Sequence, residues 1–175
     1  MKKLKREGTI PIIINTKAKI FLFTDGSVNP QSREGVGAYL LIDKSEFSSS
    51  ELEKKIQTKR FHNTSSTKLE LETLLWALGE VSLKNFETVV YTDCQNIIGL
   101  SARRDGFERK NYKTGKNKQI KNHQLYKDFF KIVDILDCEF IKVKGHKKTS
   151  VKDEIDKVFN LVDRATRKTL RETIS

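Results

Sequence analysis

Two stretches of the chain end in the same way. In KIFLFTDGS (residues 19–27) and TVVYTDCQN (residues 88–96), an apolar run is followed by Thr, then Asp, then a small residue and a polar one. Short runs rich in β-branched and aromatic residues are strand signals. A carboxylate at the end of such a run is costly to desolvate. Where strands lie parallel and helices cross between them, ligands collect at the strands' carboxyl ends. If these two strands are neighbours, Asp25 and Asp93 meet at one edge of a sheet. Taken singly, each Asp reads equally as a turn former or a helix cap. The repeated context is what singles out the pair.

The rest of the pattern places them in a sheet of this kind. VGAYLLI (residues 36–42) and KKIQTKRF (residues 54–61) supply two more strands, and the short connections predict an antiparallel meander. The period then changes. Leu69, Leu71, Leu74, Leu75 and Leu78 form a helical stripe behind the capping oxygens of Ser65, Ser66 and Thr67. The strand at 88–92 follows, and a helix is expected from about Gln95. Residues 103–122, with Gly106, Gly115 and several Asn and Lys, read mostly as loop. HQLYKDFFKIVDIL reads as a helix, residues 140–143 as a fifth strand, and a polar loop leads into a last helix ending near Leu170. The order β-β-β-α-β-α-α-β-α is an α/β fold, a five-stranded mixed sheet with helices on its faces. With no repeat, linker or composition break, residues 1–17 read as a basic N-terminal arm and residues 18–175 as one domain.

A net charge of +11 points to a polyanionic partner, either nucleic acid or an acidic membrane surface. The charge is concentrated: residues 103–127 hold nine basic and two acidic side chains, interleaved with Phe107, Tyr112 and Tyr126. No segment approaches the ~20 apolar residues that span a bilayer. The basic start is followed only by the short IPIII, not by a signal-peptide core. Cys94 and Cys138 have neither zinc-ligand spacing nor a disulfide framework. The expectation is a soluble cytoplasmic protein with no membrane partner.

Further carboxylates join the first two. Glu70 lies in the first turns of the leucine-rich helix, where a capping role would also suit it. The last helix carries Asp153, Asp156 and Asp163, spaced so that all three can share a face. Converging carboxylates repel, and some would protonate unless a cation compensated them. Oxygen-only ligation suits Mg²⁺ or Mn²⁺. Acidic metal ligands inside a basic protein suggest phosphodiester chemistry, the basic surface holding the backbone and the cations the reacting phosphate.

TDGSVNP, STKLELETLLWAL, YTDCQN, KVKGH and NLVDRATR occur in an order that resembles type 1 ribonuclease H, from residue 19 to about 171. The resemblance implies the ribonuclease H-like fold and endonucleolytic hydrolysis of the RNA strand of RNA–DNA hybrids, with 5′-phosphate and 3′-hydroxyl products. It implies two Mg²⁺ or Mn²⁺ ions held by Asp25, Glu70, Asp93 and Asp163, Asp25 bridging both, with His146 as an auxiliary group on a mobile loop. Gly26, Ser27, Asn29 and Gln95 are the candidate contacts to the RNA, Gly26 by admitting the substrate backbone closely. Ser66 and Thr67 stand where the family has paired Asn and offer hydroxyls to the DNA strand. Arg103, Arg104 and Lys113 belong to the segment that matches the family's hybrid-gripping basic protrusion. A monomer is expected. Cys94 replaces a common Ser. Phe159 replaces the Asn usual four residues before the last Asp, which keeps Asp156 as the alternative to Asp163.

Overall fold

The structure, a computed structural model, describes residues 17–80, 83–144 and 153–174. Strand β1 (Ala18–Asn29) runs well past its apolar segment. It pairs antiparallel with β2 (Glu34–Asp43) from Ile20↔Asp43 to Asn29↔Glu34. On its other side it pairs parallel with β4 (Phe86–Thr92), but only as far as Phe23↔Tyr91. Asp25 therefore does not end the strand, as the pattern predicts; it stands two residues beyond the end of the parallel pairing. The turn lies later than TDGS because Asn29 organises it. The Asn29 side-chain oxygen accepts from the N–H groups of Gln31 and Ser32, and its carbonyl accepts from Arg33.

A single helical turn, α1 (Leu52–Lys55), precedes β3 (Gln57–Phe61) where the sequence predicts strand from residue 54. The cause is Leu52, which is buried against the sheet and curls the segment inward. Helix α2 (Ser66–Glu80) follows β3, and the Ser65 carbonyl accepts its first hydrogen bond, from the Leu69 N–H. The short α3 (Gln95–Ile98) follows β4. Then come α4 (Arg104–Arg109), α5 (His123–Val133), β5 (Asp137–Lys142) and α6 (Glu154–Ile174). The sheet order is β3-β2-β1-β4-β5, with β4 and β5 parallel. Among the described residues no helix is long and apolar enough to cross a membrane.

Alternation along β1 decides which layer each residue serves. Ile20 and Leu22 pack with Leu71, Leu74 and Phe129, from α2 and α5 on one face. Phe23 packs with Val158, Phe159 and Val162 of α6 on the other. Asp25 shares the Phe23 face.

The basic segment is more structured than its composition predicts. The aromatics interleaved with its charges fold inward: Phe107 stacks on Tyr126 at 5.2 Å with planes 2° apart, and Tyr112 is buried beside them. They are core rather than platforms for bases. Trp76 likewise packs edge-on against Tyr39 at 4.8 Å and donates its Nε1–H to Glu80.

Helix α2 lies unusually close to the hairpin. A Cβ at Gly37 would overlap Thr73 Oγ1, and one at Gly26 would sit 2.9 Å from Leu69 Cγ. Gly26 is thus needed first for helix–sheet packing, before any contact with substrate. Gly37→Ala should destabilise the protein by about 1–3 kcal/mol, the usual cost of overpacking. Urea denaturation tests this: the midpoint should fall while the m-value stays constant.

Candidate active site

Four elements deliver carboxylates to one place. Asp25 comes from β1, just past the point where β4 has left it. Asp93 follows β4 directly, in a turn where the Cys94 N–H donates to Thr92 Oγ1 at 3.2 Å. Glu70 comes from the first turns of α2, on the opposite face of the sheet from α6, and reaches over the sheet's end. Oxygens of Asp25, Glu70 and Asp93 all lie within 4.8 Å of one another. Asp163 of α6 lines the same pocket, of about 520 Å³, with Gly26, Ser27, Ser66, Thr67 and Gln95 on its walls.

The cluster is electrostatically strained. Asp25 is only 6% exposed. Burial first, then the charges of Asp93 and Asp163, push its carboxyl up to about 7, against opposing hydrogen bonds from Thr166 and the Gly26 N–H. Glu70 is held well above the usual carboxylate range by burial, and next by the charges of Asp25 and Asp93. Its Oε2 is buried with no hydrogen-bond partner. An orphaned carboxylate oxygen, in a set without nitrogen or sulfur donors, fits a hard divalent cation.

Two residues of this site escape the sequence reading. Thr166 Oγ1 lies 3.1 Å from Asp25 Oδ2 and 2.8 Å from the Asp163 carbonyl oxygen, tying α6 to β1. Arg167 donates to Asp163 Oδ1 at 2.8 Å and also lines the pocket. The signal was present in DRATR, where positions three and four after Asp163 fall on its helical face.

Other candidates take different places. Asp156 is 4% exposed and exchanges hydrogen bonds with Asp153: each backbone N–H donates to the other's carboxylate. That is a capping box at the start of α6. Asn29 serves the hairpin turn and is not among the pocket's lining residues. Arg103 donates to the Gly99 and Asn96 carbonyls, pinning the turn after α3. Arg104 forms a two-pronged pair with Asp134 at 2.5 and 2.9 Å. Both guanidinium groups thus have intramolecular partners. Lys113 lies beside α4, away from the acidic pocket. His146 lies outside the described residues.

A mixed sheet that gathers oxygen ligands where its strand order reverses defines a class of α/β domains able to hold hard cations at strand ends. Within that class, a family model described as RNase H matches residues 17–167, and the chain belongs to the RNase H family. A Ribonuclease H of Clostridium botulinum is 26% identical over 145 residues, covering 81% of this chain and 93% of its own. One of Novosphingobium aromaticivorans is 28% identical over 140 residues, covering 78% and 91%. The solution structure of the PFV RNase H domain superposes with a TM-score of 0.67 at 15% identity, over 87% of this chain and 94% of that one. A foamy viral protease–reverse transcriptase in complex with dsDNA gives 0.57 at 10% identity, over 90% and 98%. At such identities the structural likeness speaks for the fold alone.

Proposed function

We propose that this chain is an endoribonuclease that hydrolyses the RNA strand of RNA–DNA hybrids with the help of two divalent cations, Mg²⁺ or Mn²⁺. The observation that carries the reading is the convergence of Asp25, Glu70 and Asp93 within 4.8 Å, in a chain of net charge +11. Those three, with Asp163 beside them, would hold the ions; when bound, such ions lower the cost of charge on the attacking and leaving oxygens of the phosphodiester. The protein's own part is positional. Asp25 is held on both sides, by β2 pairing and by the Thr166 hydroxyl at Oδ2, so its carboxylate would be offered to the ions from a fixed position. Ser66 and Thr67 sit at the exposed start of α2, where free N–H groups favour phosphate. Ser27 and Gln95 flank the cleft and offer polar groups to the 2′-hydroxyl that marks RNA. Products would carry 5′-phosphate and 3′-hydroxyl ends.

The test is a labelled hybrid incubated with Mg²⁺, with Mn²⁺ and with chelator, beside duplex DNA and a Glu70→Gln variant. Cleavage of the RNA strand alone, dependent on the cation and lost in the variant by on the order of 10²-fold or more, is expected. Binding of the hybrid without cleavage under all conditions would instead mark a silent nucleic-acid-binding module.

A further inference from the structure

We propose that α6 carries a basic subsite, continuous with the acidic pocket, that grips the phosphate backbone of the RNA strand beyond the cleavage point. The inference rests on the hybrid-cleaving reading above. A groove of about 660 Å³ runs along α6, walled by Arg164, Arg167, Lys168 and Arg171 with one acid, Glu172, at its end, and faced across by Glu53 and Ile56 of the α1 segment. Arg167 lines both this groove and the acidic pocket, so the two cavities meet at its side chain. The strand whose phosphate sits among the carboxylates is the strand that this junction carries onward.

The dimensions agree. From Asp163 to Arg171 the helix advances eight residues, about 12 Å at ~1.5 Å per residue. A strand in a duplex carries one phosphate per ~3.4 Å of axis. The stretch therefore spans roughly three phosphates, and the basic residues recur about once per turn along it. Compensation of the helix dipole accounts for Arg171 in the last turn but acts only over that turn. Arg164 and Arg167 lie well inside the helix. Arg164 does reach Glu53, at 3.1 Å, but the two side chains are 67% and 69% exposed. An ion pair that open exchanges readily for a phosphate. The basic segment around α4 belongs with α5 on the other face of the sheet. The α6 groove supplies cationic surface on the opposite flank of the active site.

The experiment measures equilibrium binding by fluorescence anisotropy, in chelator so that no cleavage occurs. The probes are a blunt hybrid of ~12 base pairs and the same hybrid with a single-stranded extension, either of RNA or of DNA, at either end. An RNA extension of one polarity should tighten binding of the unaltered protein several-fold. The Lys168→Ala/Arg171→Ala double variant should lose that gain, and its log–log salt slope on the extended hybrid should be shallower by about 1–2. A Lys84→Ala/Lys131→Ala variant, with equal charge removed elsewhere, should keep the gain. Thermal melting of each variant confirms that it is folded. Equal binding of all probes by the unaltered protein, or the same gain in the α6 variant, overturns the proposal. So does a gain as large from DNA extensions. Failure of the unaltered protein to cleave any hybrid when Mg²⁺ is restored would instead overturn the underlying function, which keeps the two failures separate.

Discussion

Changing Asp25 to Asn is expected to abolish hybrid cleavage, on the order of 10³-fold or more, while raising the thermal stability of the cation-free protein at pH 8. Both effects follow from one geometry. The Asp25 carboxyl is buried among other acids and sits at about 7 instead of its usual 3.8. The folded protein thus holds a proton that the unfolded chain releases near pH 4. Stability is highest below that point and falls as pH rises through the window from about 4 to about 7. Asn does not ionise, so the gain should appear at pH 8 and vanish near pH 4. Its size is on the order of 4 kcal/mol, or roughly 10 °C for a domain of this length. Added Mg²⁺ should stabilise the unaltered protein and leave the variant unmoved, since a ligand stabilises only the state that binds it. Scanning calorimetry at the two pH values, with and without Mg²⁺, checks each part. A variant no more stable at pH 8 would mean that burial and the neighbouring carboxylates do not disfavour the ionised Asp25 as its position requires.

The second large effect separates Asp163 from Asp156. Asp163 shares the pocket with Asp25, Glu70 and Asp93, and its charge contributes to the upward shift at Asp25. Asp163→Asn should therefore cost on the order of 10²-fold or more in cleavage rate and little in stability. Asp156 is buried in the capping box with Asp153. Asp156→Asn should melt earlier, with a loss of about 1 kcal/mol, and still cleave. Parallel rate and melting measurements on the two variants decide it; the opposite pattern would transfer the role of ligand to Asp156.

The two apolar runs followed by Thr-Asp could be found from sequence because strand and carboxylate are both local features. So could the leucine stripe of α2, whose period needs no tertiary knowledge. The boundary of β1 could not. Its last residues, TDGSVN, look like a turn, and only the ladder to β2 keeps them extended. Arg104 reads as a free cation until Asp134, thirty residues away, is brought against it. Phe107 and Tyr126 stand out in the sequence only as aromatics interleaved with basic residues; the fold turns their rings onto each other. Thr166 and Arg167 share the helical face of Asp163 in the sequence, but that spacing becomes a site only once Asp163 is known to face β1.

The chain by itself determined the order of the five strands and of the longer helices, the acidic residues worth watching and the basic character of the surface. These depend on periodicity, residue type and spacing, which survive without coordinates. The tertiary structure alone decided which acids share a pocket, which cations are already engaged, and that Gly26 serves helix packing first. Those are matters of through-space distance and burial, and residues such as Asp25 and Thr166 become neighbours only when the sheet and α6 close on each other.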